Sequence, residues 1–369
     1  MPTTILVTGL AITLAATAAS AQCLAGRFTA ALSGNGRFGT GADVNGDDMI
    51  VGQHFAYSRA GNAEVFRRVG EQWTSLGELR PPNLQPFDFY GVNVAMAGDL
   101  AVVGANGDSS LNVTRHGAAY VFRNSGGTWT LEAKLTPDAP SEEAAFGTAV
   151  DTDGTRILIG TGAFSFSADE RGGAYIFEHQ GGGIWAQTAK LLPADVGPAD
   201  RVGNALAIDG DTAVINSRNE GPPSEFPGSV YVFRLDNGAW TEEQEVAPDN
   251  PQSTFAPFGP ALDLEADILV VGAPSYNNGS LGPDGEAFIF TRSGTTWTQS
   301  QTLLPDFARD TGPFFGLDAQ LDGDWLAIGA TSELIFNPDP VRTGAIYLFR
   351  RDRDDWGFVQ RLYADGAIN

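Results

Sequence analysis

The sequence is poor in cysteine, histidine and positive charge. Its 369 residues include one cysteine, Cys23, and three histidines, and 22 Lys and Arg stand against 45 Asp and Glu. A single cysteine excludes an intramolecular disulfide and a cysteine-rich zinc site, so packing alone must stabilise the fold. The net charge of −23 argues against nucleic acid and anionic lipid as partners, because such binding depends on cations that neutralise phosphates.

Long hydrophobic runs are missing beyond the N-terminus. Residues 5–19 are almost entirely small or apolar and lead into Ala19-Ser20-Ala21, which is typical of a cleavage site before Gln22. We expect export, with removal of residues 1–21 as a signal peptide, although this segment lacks Lys and Arg. The mature chain would be secreted, extracellular or periplasmic. The run is too short for a comfortable membrane span, so no membrane insertion is expected. Lipidation of Cys23 is the alternative, and Gln22 stands where a small residue is usual.

Glycine is abundant, and together with tryptophan and phenylalanine it marks a regular repeat. Six turn-like glycines are spaced by 52 to 57 residues: Gly39, Gly91, Gly147, Gly203, Gly259 and Gly316. Six tryptophans keep nearly the same spacing: Trp73, Trp129, Trp185, Trp240, Trp297 and Trp356. Six apolar tetrads ending in Phe lie between them: 63–66, 119–122, 174–177, 230–233, 287–290 and 346–349. A period near 50 residues indicates structural units that bury their faces on one another.

One unit, from Tyr90 to Asp138, shows the strands that each repeat should form. Short apolar runs at 92–97, 100–103 and 118–122 are followed by an alternating run at 129–135, and turn residues separate them. Four short strands repeated around an axis predict an all-β fold, a β-propeller of four-stranded antiparallel blades. The Phe and Trp markers are expected to pack between blades.

Six repeats are complete, which predicts six blades as one domain over residues 38–369. The segment 22–37 precedes them and is expected to form a leader strand. A seven-bladed ring with one reduced blade is the alternative.

The repeats resemble FG-GAP repeats. Phe-Gly pairs occur at 38–39, 146–147, 258–259 and 315–316, and Val-Gly-Ala-like segments follow, as at 271–274 and 103–105. The fourth repeat departs from the pattern, with Val202-Gly203 and Asn216-Ser217. FG-GAP repeats build the propeller of integrin α-chain N-terminal regions, and this chain looks like the bacterial secreted form. The resemblance implies a β-propeller over roughly residues 38–369, and it implies that the first hairpin of a repeat can hold Ca²⁺.

Oxygen-bearing side chains alternate in two of these hairpins, which makes Ca²⁺ a possible cofactor. The first set is Asp43, Asn45 and Asp47, and the second is Asp263, Glu265 and Asp267. The first set lacks a closing carboxylate, and the second has Ala266 in place of the expected Gly. A plain hairpin turn is therefore the alternative, and any affinity is expected to be weak.

The sequence does not favour an enzyme. His54, His116 and His179 fall in different repeats, and no G-x-S-x-G nucleophile motif is present. A hydrolase that uses the central cleft of the propeller, and a structural module of a surface assembly, stay as alternatives.

Ligand binding is expected on the face that carries the long loops, since binding residues concentrate on loops held by a rigid scaffold. Candidates on these loops are aromatic or cationic: Phe55, Tyr57, Phe164, Arg171, Tyr276 and Arg342. The leading hypothesis is a monomeric, non-enzymatic propeller that binds a protein or a glycan through this face.

Overall fold

A computed structural model describes residues 39–70, 72–110, 113–162, 171–197, 200–218, 228–249, 258–274, 285–305, 314–336 and 340–363. These residues form six four-stranded antiparallel sheets, in each of which consecutive strands are neighbours. The sheets are the blades of a six-bladed β-propeller, so the predicted fold class and blade number are confirmed. The predicted signal peptide and leader strand, 1–21 and 22–37, lie outside the described residues.

The first three sheets contain strands β1 to β12. Their bounds are β1 Ala42–Asn45, β2 Asp48–Gly52, β3 Ala63–Val69, β4 Gln72–Glu78, β5 Tyr90–Ala97, β6 Leu100–Ala105, β7 Ala118–Ser125, β8 Thr128–Leu135, β9 Phe146–Thr152, β10 Arg156–Thr161, β11 Gly173–Gly181 and β12 Ile184–Leu191. One short helical turn, α1 Ala56–Arg59, lies between β2 and β3.

The last three sheets contain strands β13 to β24. Their bounds are β13 Leu206–Asp209, β14 Thr212–Ser217, β15 Ser229–Asp236, β16 Ala239–Val246, β17 Leu262–Glu265, β18 Ile268–Ala273, β19 Glu286–Ser293, β20 Thr296–Leu303, β21 Phe315–Asp322, β22 Trp325–Phe336, β23 Pro340–Asp352 and β24 Asp355–Tyr363. Arg342, which was expected on a long loop, lies instead in the extended β22–β23 hairpin, where it pairs with Leu334.

The chain divides into two compact units. Met1–Phe166 with Ala174–Lys190 holds nearly all of the first three sheets, and Ser167–Gly173 with Leu191–Asn369 holds the last three. Within each unit the core lies between neighbouring sheets, because the middle strands are apolar on both faces. The repeated Phe residues of the described chain are buried there, as predicted for packing between blades. Among the repeated tryptophans, Trp297 and Trp356 are buried, whereas Trp73, Trp129, Trp185 and Trp240 are half-buried. No described helix is long and apolar enough to cross a membrane.

The glycines of the Phe-Gly and Val-Gly-Ala motifs allow two neighbouring sheets to approach closely. Gly147 has φ of 87°, and a Cβ on it would lie 2.3 Å from the carbonyl oxygen of Ala118 in the preceding sheet. A Cβ on Gly104 would lie 2.1 Å from the carbonyl oxygen of Gly147. No side chain fits at that distance, so the two motifs are halves of one inter-sheet contact. In the fourth sheet, Asn216 stands in place of the glycine of the Val-Gly-Ala motif. Its Oδ1 accepts the Ala205 N–H at 2.8 Å.

Candidate functional site

Two loops of the first two sheets are hydrogen-bonded into one surface. The β2–β3 loop holds Phe55, Tyr57 and Arg59, and the β4–β5 loop holds Phe87 and Phe89. The backbone N–H of Phe89 donates to the Arg59 carbonyl at 3.0 Å, and the Tyr90 N–H donates to the Ala60 carbonyl at 3.0 Å. The antiparallel order of the strands explains the meeting, because both loops connect strands at the same end of their sheets.

Aromatic rings cluster where the two loops meet. The Phe55 and Phe89 ring centroids are 6.1 Å apart, and those of Phe87 and Phe89 are 6.3 Å apart. The Arg59 guanidinium lies 5.1 Å from the Phe55 centroid and 5.6 Å from the Phe87 centroid. The Phe87 side chain is nevertheless 51% exposed. An exposed phenylalanine under an arginine is unusual on a solvated loop and provides apolar contact area for a partner.

Tyr57 and Arg80 form the other side of the same surface. The Arg80 guanidinium lies 4.0 Å from the centroid of the Tyr57 ring, and Tyr57 is 41% exposed. The Tyr57 hydroxyl donates to Glu78 Oε1 at 3.1 Å, and Asn62 Nδ2 donates to the same oxygen at 3.1 Å. The ring is therefore held in place while one side stays open. We call the four exposed or partly exposed residues Tyr57, Arg59, Arg80 and Phe87 the aromatic–arginine surface.

The backbone under this surface is strained. Five non-glycine residues have positive φ: Tyr57 at 49°, Ser58 at 60°, Arg59 at 68°, Phe87 at 74° and Phe89 at 53°. Three of them, Tyr57, Ser58 and Arg59, lie in α1, which is thus a left-handed turn rather than a regular helix. Each such residue costs roughly 1–2 kcal/mol, and strain of this kind collects at functional sites.

A buried charged cluster supports the neighbouring loop. Asp108 is 2% exposed and accepts hydrogen bonds from Lys134 Nζ at 2.7 Å and the Tyr120 hydroxyl at 3.1 Å. Burial alone would raise the pKa of Asp108, but hydrogen bonds from Lys134 and Ser110 outweigh it and hold this pKa below its ordinary value. His116 Nε2 lies 3.5 Å from Asp108 Oδ1, and burial lowers the pKa of His116.

This cluster also reaches the β4–β5 loop through Asp88. The Gly107 N–H donates to the Asp88 carbonyl at 3.0 Å, and Asp88 Oδ2 accepts the Gln85 N–H at 2.6 Å. Burial raises the pKa of Asp88 to about 6. The polar atoms of the Asp108 cluster thus form hydrogen bonds with one another. The cluster also holds the β4–β5 loop, which carries Phe87, in place.

The first predicted calcium set is not gathered around one point. Asp43 Oδ2 accepts the Met96 N–H of the second sheet at 2.6 Å, and Oδ1 accepts the Val44 N–H at 2.7 Å. Asp47 pairs with Arg68 at 2.8 Å, and Asn45 is exposed. Burial raises the pKa of Asp43 to about 6. Asp43 therefore links two sheets.

The second set repeats this arrangement in the fifth and sixth sheets. Asp263 Oδ2 accepts the Leu321 N–H at 2.5 Å, and Glu265 Oε2 accepts the Gly323 N–H at 2.9 Å. Asp267 pairs with Arg292 at 2.5 Å. Across the described part of the chain, no three His, Cys, Asp or Glu side chains are grouped to hold a metal ion. Calcium binding at these hairpins stays a prediction.

The other candidates for the ligand face are distributed differently. Phe164 and Tyr276 lie outside the described residues. Arg171 is exposed, and its carbonyl accepts the Val202 N–H at 3.0 Å. Arg342 lies on β23. The structure brings Phe55 and Tyr57 together, and it adds Arg59, Arg80 and Phe87, which sequence reasoning missed. The sequence pattern that could have identified them is the set of aromatic and arginine residues in the loops at 55–59 and 80–89. Only the connectivity of the strands shows that these two segments meet.

Two clefts lie elsewhere between neighbouring sheets. One of about 700 Å³ between the fourth and fifth sheets is lined by charged residues that include Arg234, Glu243 and Arg292. One of about 200 Å³ between the first and second sheets is lined by residues that include Leu76, Gly77 and Trp129. Tyr57, Arg59, Arg80 and Phe87 line neither, so the aromatic–arginine surface is separate from both.

Fold and repeat together define the class, a six-bladed β-propeller of repeated four-stranded meanders. The chain contains FG-GAP repeats, because the model of the FG-GAP repeat matches residues 73–122, 129–177 and 185–233. Each matched segment supplies the outer strand of one sheet and the first three strands of the next. The predicted recognition is thereby confirmed.

Other comparisons add little about function. No curated protein matches the chain. Among solved structures, a Bacteroides fragilis protein assigned as a 6-phosphogluconolactonase matches with a TM-score of 0.49 at 13% identity, over 87% of this chain and 82% of that one. A likeness at this level carries no argument about activity.

Proposed function

We propose that this chain is an exported, non-enzymatic binding module that takes a protein or a glycan on its aromatic–arginine surface. The observation that carries the proposal is the exposure of Tyr57 and Phe87 on left-handed backbone at the junction of two loops. A fold gains nothing from holding large apolar rings in solvent at a conformational cost. Binding to a partner supplies the missing reason, since aromatic and arginine side chains dominate the energetics of interfaces.

The surroundings of the surface favour binding over hydrolysis. The nearby carboxylates Glu78, Asp88 and Asp108 each accept hydrogen bonds from protein groups. An acid and base pair for hydrolysis would need carboxylates that reach a substrate. FG-GAP propellers are, in general, interaction modules, which agrees with this choice.

A binding screen of the exported chain against glycan and protein arrays tests the proposal. Every ligand found on this surface should lose at least tenfold in affinity in a Tyr57→Ala, Phe87→Ala double variant. The matched control is Ile184→Ala, because Ile184 is 63% exposed on an outer strand. Ligands that bind the double variant and the parent equally well would place the binding site elsewhere.

Export itself has a direct test. Mass spectrometry of the chain from its native host should give a mature N-terminus near Gln22, since Ala19-Ser20-Ala21 precedes it. A cytosolic chain that keeps Met1 would refute export and leave the binding proposal to its own test.

A further inference from the structure

Arg59 and Arg80 differ from the other described arginines of the first two sheets in what they contact. The others form ion pairs: Arg67 with Asp48, Arg68 with Asp47, Arg115 with Glu143, and Arg123 with Asp99 and Glu132. Arg59 and Arg80 lie over rings instead, and no described carboxylate is within ion-pair distance of either. Arg350 in the sixth sheet also lies over a ring, that of Trp325 at 5.5 Å, but Arg59 and Arg80 are two such arginines on one surface.

A guanidinium that lies over a ring keeps its hydrogen-bonding edge. The ring covers a planar face, whereas the N–H groups point outward in the plane and match the two oxygens of a carboxylate. Arg59 is exposed and Arg80 is partly exposed, so a ligand can reach both side chains. Carboxylates are therefore the groups that Arg59 and Arg80 are prepared to receive.

The charge of the whole chain limits how acidic the ligand is. A polyanion such as a polyuronate meets repulsion from a molecule of charge −23, and such repulsion acts over about 10 Å at moderate salt. One or two carboxylates placed on the arginines gain the local attraction and meet less of that repulsion. The surface thus favours a ligand with few acidic groups.

The shape and composition of the surface favour protein over sugar. Tyr57, Arg59 and Arg80 belong to the residue types that dominate protein–protein contacts, with Phe87 as an apolar neighbour. Small ligands usually occupy concave sites, and these residues line neither of the two clefts described above. We propose that the aromatic–arginine surface binds a short acidic segment of a partner protein, with its Asp or Glu carboxylates on Arg59 and Arg80 and an apolar side chain against Tyr57 and Phe87. This inference rests on the proposed function and adds the class of ligand.

Selection from a random dodecapeptide library displayed on phage, with the exported chain as bait, tests the inference. We expect enriched peptides to carry Asp or Glu next to an aromatic or aliphatic residue. Fluorescence anisotropy of one such peptide should show at least a tenfold loss of affinity in Arg59→Gln and in Arg80→Gln. Arg68→Gln is the matched control, since Arg68 also lies over a ring, that of Trp73 at 5.9 Å, but pairs with Asp47.

Changes in the peptide test the contact without altering the protein, so a loss of affinity cannot come from misfolding of a variant. Replacing its acidic residue by Gln should weaken binding to the parent as much as Arg59→Gln or Arg80→Gln does, and combining the two changes should add little further loss. Enriched peptides without Asp or Glu, or acidic peptides indifferent to both arginine variants, would overturn the inference. The inference would also be overturned if the binding of a uronate oligosaccharide, but of no peptide, depended on Tyr57 and Phe87. That result would leave the proposed function standing. If no ligand of any class requires Tyr57 and Phe87, both proposals fail.

Discussion

At the residue scale, the strain at Phe87 can be measured apart from its ring. Phe87→Ala and Phe87→Gly both remove the side chain, but only glycine adopts φ of 74° without a steric penalty. We expect the glycine variant to be more stable than the alanine variant by about 1 kcal/mol, because relief of a left-handed Cβ outweighs the added entropy of the unfolded chain. Chemical denaturation gives both free energies of unfolding. Equal values, or a less stable glycine variant, would mean that the loop is not strained there.

Asp88 makes the stability of the same loop depend on pH. Burial raises the pKa of Asp88 from its ordinary 3.8 to about 6, so the folded state binds this proton more tightly than the unfolded chain does. Its contribution to stability is full below about pH 4 and is lost as the pH rises through 6. Asp88→Asn keeps an acceptor for the Gln85 N–H and cannot titrate.

Denaturation at several pH values compares this variant with the parent. The stability of Asp88→Asn relative to the parent should increase between pH 4 and pH 7. Asp88→Ala is the control, and it should be less stable than Asp88→Asn by about 1–3 kcal/mol because it leaves the Gln85 N–H without its acceptor. A parent and Asp88→Asn difference that is constant over this range would contradict the assignment.

At the element scale, tryptophans join some outer strands to the preceding sheet, and Trp129 is one that lacks this bond. Trp185 Nε1 donates to Glu132 at 2.8 Å and Trp297 Nε1 donates to Glu243 at 3.3 Å. Each acceptor lies three residues after the tryptophan of the preceding sheet. Leu76 holds that position before Trp129, whose Nε1 is buried with no partner among the described residues.

Leu76→Glu should supply the missing hydrogen bond. Leu76 is partly exposed beside Trp129 in the smaller cleft, so its loss costs little, whereas a new hydrogen bond to a buried N–H gains about 1 kcal/mol. Thermal and chemical denaturation measure the gain, with Leu76→Lys as the control because lysine offers no acceptor. Equal stability of the two variants would show that the carboxylate does not reach Trp129.

The sequence predicts the strands well where the same residue pattern recurs in several repeats. The second sheet was expected at 92–97, 100–103, 118–122 and 129–135, and its strands include these runs. The extension of the β22–β23 hairpin was missed because Asn337-Pro338-Asp339-Pro340 favours a loop and no strand is described at this place in the other repeats. The hydrogen-bond partners of Asp43 and Asp263 were also missed. Each of these carboxylates accepts a backbone N–H from a residue more than 50 positions later in the chain. Such contacts depend on how sheets stack, which no local spacing records.

At the scale of the whole molecule, the charge of −23 complicates any test for calcium. Divalent cations screen like charges and can stabilise so acidic a chain without a specific site. A specific site must therefore distinguish Ca²⁺ from Mg²⁺ at equal ionic strength. The coordination preferences of the two ions differ enough to allow this, because Mg²⁺ demands a smaller octahedral site.

We expect Ca²⁺ binding, if it occurs at these hairpins, to be weak, because Asp43 and Asp263 already accept backbone N–H groups and Asp47 and Asp267 already pair with arginines. A Kd of roughly 10⁻⁴–10⁻³ M would add about 0.4–1.4 kcal/mol of stability at 1 mM Ca²⁺. Melting curves with Ca²⁺ or Mg²⁺ should then show a small excess shift for Ca²⁺, and Asp47→Ala with Asp267→Ala should abolish the excess. Equal shifts for the two ions, or an excess that survives in the double variant, would leave the hairpins as inter-sheet links only.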